Sequence, residues 1–254
     1  MRIDKVDTYL ADGGWRNWVF VELTTSDGLV GVGEATLEFK ERTVASAVKD
    51  MEGFVIGKDP FDIEAIWQNM YKKSFWRGGP ILNSAISGIE QALWDIVGKS
   101  LGQPIHRLLG GSYNKRLRAY ANGWFWDARS PEEYAERARE VVKKGYTALK
   151  WDPFGASDLA ITREQADMAV QCIKAVREAV GSKIDLLIEV HGRLDVNSAI
   201  KVAKQLEAYD IFWYEEPVPP ENLDALVKVR SQVNIPIATG ERLYTKFGFR
   251  EVLE

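Results

Sequence analysis

IDLLIEVHGRLDVNSAIKVAKQLEAYDIFWYEE, residues Ile184 to Glu216, holds the pattern that decides the fold. IDLLIEV is a short, continuous apolar run, as expected of a strand buried on both faces. VNSAIKVAKQLEAY places its apolar residues at helical spacing. IFWYEE is a second buried strand. Strand, amphipathic helix and strand in roughly 30 residues make a β-α-β unit, whose two strands lie parallel.

The same rhythm extends in both directions. LRAYANGWF and YTALKWD read as strands before it, and IPIAT as a strand after it. PEEYAERAREVVKKG, EQADMAVQCIKAVREAVG and ENLDALVKVRSQ read as the helices between. Ser130 is a natural N-cap for the first of these, with Pro131 in its opening turn. The class is therefore α/β, and residues 116–254 are expected to form part of a (β/α) barrel, with about five of its eight strands. Residues 1–115 read differently. WVFVELTT and LVGVGEATL flank Ser26-Asp27-Gly28, a turn that joins hairpin strands. Three helical stretches follow, and the last, NSAISGIEQALWDIVGKSLG, stops at Gly102 with Pro104 just beyond. Leu108-Leu109-Gly110-Gly111 marks the expected boundary between an N-terminal domain and the barrel portion.

Composition narrows the function. The 254 residues are 46% hydrophobic and 28% charged, with a net charge of −4. An acidic balance argues against nucleic acid or an anionic membrane as partner. No run reaches the ~18 apolar residues of a membrane span, and the N-terminus lacks a signal-peptide core. Cys172 is the only cysteine, which fits a reducing compartment and a cytoplasmic location.

Three of the predicted strands end in a carboxylate. Glu189, Glu215 and Glu241 follow one another at intervals of 26 residues. Eight strand-helix repeats fill roughly 250 residues in a closed barrel, so the interval is close to one repeat. The three carboxylates should occupy equivalent strand ends, the face where such barrels carry active sites. Together they would repel one another unless a cation intervenes, and a hard oxygen-ligand ion such as Mg²⁺ suits the set. Lys150 ends the preceding strand on the same face. His191, two residues after Glu189, should point the same way as a proton donor or acceptor. Arg193 and Arg242 bring charge suited to an anionic substrate. A lone strand-end Glu is more often solvated, but three in register reverse those odds. Glu216 reads as a structural hydrogen-bond partner or a support for the ligands. Lys150 could simply pair with Asp152, Trp76-Arg77-Gly78-Gly79-Pro80 could be only a turn, and His106 and Cys172 read as ordinary structural residues.

These residues carry a resemblance. ALWDIVGKSLGQPIHRLLGG, ALKWDPFG, IEVHGR, WYEEPVPPENLDAL, IPIATGERL and FWRGGP together resemble the enolase superfamily, in its mandelate-racemase subgroup, and within it the acid-sugar dehydratases. The resemblance spans essentially the whole chain. It implies a capping domain over a modified barrel, Mg²⁺ held by Glu189, Glu215 and Glu241, and catalytic roles for His191 and Lys150. It also implies substrate contacts from Asp152, Arg193, Arg242 and Trp76, and a homo-oligomer in the full-length protein. The implied reaction is loss of water from a sugar acid through an enediolate to a 2-keto-3-deoxy acid, with the imidazole of His191 protonating the departing hydroxyl. A hydroxy-acid racemase or epimerase is the alternative, disfavoured because Asp152 stands where the subgroup's second lysine would be. The subgroup's later-strand histidine base has no counterpart here. The chain therefore resembles a C-terminally truncated member, expected to lack normal turnover and to retain metal binding.

Overall fold

Val19, Val21, Leu23 and Thr25 alternate with more exposed neighbours along one strand, so half of that strand faces a core. In the computed structural model, which describes residues 1–254, this strand is the centre of a three-stranded antiparallel sheet. The order is β1 (Ile3–Asp12), β2 (Asn17–Thr25), β3 (Val30–Glu34). The predicted turn closes β2 onto β3. Gly28 takes a φ of 84°, and the Thr25 hydroxyl donates to Asp27 Oδ1 at 2.7 Å and accepts from the Leu29 amide at 3.0 Å. Five helices follow: α1 (Glu41–Asp50), α2 (Glu52–Val55), α3 (Ile63–Lys73), α4 (Gly79–Leu101) and α5 (Ile105–Leu108). α4 ends where the sequence predicts, on Gly102 in the left-handed conformation. Its Gly88 and Ala92 carbonyls lie so close to Gly33 and Gly31 that a Cβ at either glycine would collide with them. This unit ends at Lys115.

The second unit runs from Arg116 to Glu254. Its sheet is parallel, in the order β4 (Ala148–Trp151), β5 (Asp185–Glu189), β6 (Ile211–Glu215), β7 (Ile237–Ala238). The helices are α6 (Pro131–Lys143), α7 (Arg163–Val180), α8 (Val196–Leu206), α9 (Leu223–Gln232) and α10 (Thr245–Leu253). Four of them start on a capping side chain. Ser130, Thr162, Asp195 and Asn222 each accept from a backbone amide of the first turn, and loss of such a cap costs typically ~1 kcal/mol. Of the expected strands, LRAYANGWF is not a full strand. It touches the sheet only at Ala121, which bridges to β4, and turns away at Gly123, whose φ is 70°.

Alternation along the strands divides the sheet into two faces. Leu149, Trp151, Leu186, Ile188 and Tyr214 join Ala169, Ile173, Val176, Val202 and Leu206 of α7 and α8 in one core. Each large side chain fully buried there contributes roughly 1.5–3 kcal/mol. Lys150, Glu189 and Glu215 alternate with those core residues and so occupy the other face. Far from them, Arg177 ties the end of α7 to the loops that feed β5 and β6. Its guanidinium donates to the carbonyls of Tyr209 (2.9 Å), Gly181 (2.7 Å), Ile184 (2.7 Å) and Asp210 (2.9 Å).

Candidate metal centre and its histidine

Parallel pairing sets Glu189 directly opposite Glu215. Like charges in that relation repel, and Lys150 on the neighbouring strand answers them. Its Nζ lies 2.8 Å from Glu189 Oε2 and 2.7 Å from Glu215 Oε1. Lys150 therefore pairs with these two glutamates, not with Asp152. Burial works against its charge, yet the close carboxylates of Glu189 and Glu215 outweigh that and hold the ammonium above its ordinary range. Glu215 is pushed up by burial and by the neighbouring Glu189.

Glu241 completes the group from a different local structure. β7 stops at Ala238, and Glu241 sits in the turn after it, so the third carboxylate comes from a loop and not a strand end. Carboxylate oxygens of Glu189, Glu215 and Glu241 nevertheless lie within 4.8 Å of one another. The cluster can hold a divalent metal. Glu189 and Glu215 share one ammonium, Glu241 has the Arg242 guanidinium at 3.6 Å, and Glu189 Oε2 makes only the ion pair with Lys150, with no hydrogen bond of good geometry. Hard divalent ions are bound by oxygen donors of this kind. Trp213 adds a partner that the sequence reading missed: its indole N–H donates to Glu215 Oε2 at 2.9 Å. Strand periodicity is the signal that could have found it, since Trp213 and Glu215 are two apart on β6.

His191 reaches its place by a route that strand alternation does not describe. β5 ends at Glu189, and His191 has a φ of 56°, in the left-handed region. Such a conformation in a non-glycine residue costs of order 1–3 kcal/mol and persists only where surroundings hold it. The holding contacts are visible. The His191 amide donates to Glu189 Oε1 at 2.7 Å, and its carbonyl accepts from Arg242 Nη2 at 3.3 Å. Its ring Nδ1 lies 2.7 Å from Asp152 Oδ2. The hydrogen bond with Asp152 raises the imidazole's pKa, against the opposing effect of burial.

The sequence reading aims the two arginines at a substrate anion, and in the structure both also have partners within the protein. Arg193 Nη2 lies 2.6 and 2.5 Å from the two Asp152 oxygens, Nε donates to the Val190 carbonyl at 2.9 Å, and Nη1 donates to the Gly155 carbonyl. Arg242 forms an ion pair with the buried Glu216 and lies 3.6 Å from Glu241. Glu216, with a φ of 38°, is a second non-glycine residue in the left-handed region, and burial pushes its carboxyl up. Trp76 lies in the first unit, exposed, edge-on to Phe75 in the segment between α3 and α4. His106 is exposed on α5, and Cys172 is buried in the core of α7.

Comparison with known proteins agrees with this architecture. The family model described as mandelate racemase / muconate lactonizing enzyme, N-terminal domain, matches residues 12–110, and that described as enolase C-terminal domain-like matches residues 133–254. A solved structure of an enolase-superfamily member from Salmonella Typhimurium superposes with a TM-score of 0.95 at 36% identity, over 99% of this chain and 70% of that one. The chain belongs to the enolase superfamily. Within it, the mandelate racemase/muconate lactonizing enzyme branch is the one both halves point to. The chain is 38% identical over 253 residues to the D-galactonate dehydratase of Pectobacterium atrosepticum, and 41% identical over 234 residues to the D-gluconate dehydratase of Thermoproteus tenax. These alignments cover 100% and 91% of this chain. They span 65% and 47% of the relatives, so the chain is less than two thirds the length of the curated enzymes it matches. No helix is long and apolar enough to cross a membrane.

Proposed function

We propose that the protein is a Mg²⁺-dependent hydro-lyase acting on a sugar acid of the galactonate or gluconate type. The observation that carries this reading is the convergence of Glu189, Glu215 and Glu241 within 4.8 Å, with His191 anchored beside them. Its similarity to curated gluconate and galactonate dehydratases supplies the substrate class. Glu189, Glu215 and Glu241 would hold the ion. Bound there, it supplies positive charge to a substrate carboxylate and makes the adjacent carbon-bound proton more acidic. Lys150 sits against Glu189 and Glu215 and offsets part of their charge. His191, as the imidazolium, delivers its Nε2 proton to the hydroxyl on the next carbon, so that the group leaves as water rather than hydroxide. The α-proton passes to solvent water, since neither histidine can fill the role of the subgroup's base, and the enol that remains takes up a proton at carbon 3 to become the 2-keto-3-deoxy acid. Asp152, occupying the position of a second lysine, argues against racemisation by a lysine pair.

The test is a panel of sugar acids incubated with the protein and Mg²⁺, with 2-keto acid formation and solvent-deuterium exchange at the α-carbon both followed. Keto acid from galactonate or gluconate, dependent on Mg²⁺ and abolished by His191→Asn, is the expected result, at far below normal turnover because neither His106 nor His191 can serve as the subgroup's second histidine base. An epimerised acid without keto product would make the protein an epimerase instead. Metal binding with neither exchange nor product would make it a metal-binding chain without this chemistry.

A further inference from the structure

Every polar group of His191 except Nε2 is tied to the protein. The amide is held by Glu189, the carbonyl by Arg242 and Nδ1 by Asp152. Asp152 is itself fixed. Arg193 grips both of its oxygens, and the Phe154 amide donates to Oδ1 at 2.9 Å. Arg193 is anchored in turn on the carbonyls of Val190 and Gly155. A carboxylate can only accept, so the Asp152 contact requires the proton on Nδ1. Which ring nitrogen carries the proton is set by the hydrogen bond the other end makes.

We infer that Asp152 and Arg193 are positioning residues, which fix the tautomer and ring orientation of His191 so that Nε2 alone meets the reacting group. This deepens the dehydratase reading, resting on it for the role of His191, and moves Asp152 and Arg193 away from direct substrate contact. Asp152 sets the proton on Nδ1 and the angle of the ring. Arg193 keeps Asp152 from rotating, because its Nη2 meets both carboxylate oxygens while its Nε and Nη1 are held on the carbonyls of Val190 and Gly155. Glycine at position 192, with a φ of 68°, brings the chain round between them.

The chain has only two histidines, His106 and His191, so the tautomers are directly readable. Nitrogen-15 NMR of the imidazole rings, recorded on the full chain at a pH where both are neutral, distinguishes protonated from bare ring nitrogens, and His106→Gln assigns the two signals. His191 should be predominantly the Nδ1–H form, whereas exposed His106 should show the mixture of a free imidazole. A charge-assisted hydrogen bond should bias the tautomer by about tenfold or more. Asp152→Asn should turn His191 to the Nε2–H form, because the carboxamide can donate to Nδ1. Arg193→Met should give a mixture, and Asp152→Glu should restore part of the Nδ1–H signal. Wild-type His191 with the same tautomer mixture as His106 would overturn the inference even if no variant folded. So would an unchanged ring in Asp152→Asn. These readouts need no turnover, so they stand apart from the sugar-acid panel. If the dehydratase reading holds as well, Asp152→Asn should lower kcat and leave KM and Mg²⁺ affinity near wild type.

Discussion

Lys150 Nζ sits 2.7 Å from Glu215 and 2.8 Å from Glu189, on a strand beside both. One ammonium thus bridges two carboxylates that strand pairing forces face to face. Replacing it with Met would leave both anions buried without a counter-charge. Breaking a buried pair in this way costs roughly 3–5 kcal/mol. Lys150→Met should therefore lose about that much stability in the absence of metal, read by urea denaturation with a chelator present. Adding Mg²⁺ should recover part of the loss, because the ion supplies charge to the same oxygens.

Glu241 separates metal binding from folding. Its side chain is 45% exposed, and surface substitutions of this kind usually stay within about 0.5 kcal/mol. A ligand at about a hundred times its Kd stabilises the native state by about 2.7 kcal/mol. Glu241→Gln should leave metal-free stability nearly unchanged while removing most of the Mg²⁺-induced rise. Denaturation with and without Mg²⁺ measures both quantities, and a rise that survives in the variant would take Glu241 out of the metal site.

Arg177 is expected to matter for stability alone. Its guanidinium serves four carbonyls from two segments, those leading into β5 and β6, and hydrogen bonds to charged groups are worth ~1.5–3 kcal/mol each. Some of these carbonyls can turn to water, so Arg177→Ala should cost roughly 2–4 kcal/mol in all. Arg177→Lys should recover little, since one ammonium cannot reproduce a planar fork. Mg²⁺ affinity of the folded variant should match wild type in calorimetry.

Cys172 gives a pH-dependent signature. Burial pushes its thiol up from 9.0 to about 11. The folded state therefore keeps its proton where the unfolded chain loses it. The stabilising contribution is complete below pH 9 and is lost as pH rises towards 11, by about 1.4 kcal/mol per unit within that window. The difference in unfolding free energy between wild type and Cys172→Ala should fall with pH across that range. At pH 8 a thiol-specific reagent should find no reactive cysteine until denaturant is added.

The barrel portion was legible because parallel strands buried on both faces leave unbroken apolar runs, as in IDLLIEV and IFWYEE. The 26-residue interval then linked three glutamates that are far apart in the chain. LRAYANGWF misled because its apolar content is real, yet Asn122-Gly123 turns the chain after a single bridge at Ala121. The left-handed backbones of His191 and Glu216 were not readable. Both conformations draw on partners from other segments, Asp152 and Arg242 for His191 and Arg242 for Glu216, and nothing in HGR or EEP read alone demands them. The partners of the arginines were hidden for a related reason. A guanidinium chooses among acceptors only once the fold presents them, and Arg193 finds Asp152 and Gly155 41 and 38 residues earlier in the chain.

The pairing of Glu189 with Glu215 also makes the metal cluster a gauge of strand register. Side chains alternate between faces residue by residue, so a slip of one position between β5 and β6 would swing one glutamate into the helix-packed core. A chain paired in that wrong alignment could not assemble the three carboxylates, and Mg²⁺ would pull only correctly aligned molecules towards the native state. The ion would thus act as a proofreader of the sheet during folding, rewarding the single alignment in which β5, β6 and the turn after β7 arrive together.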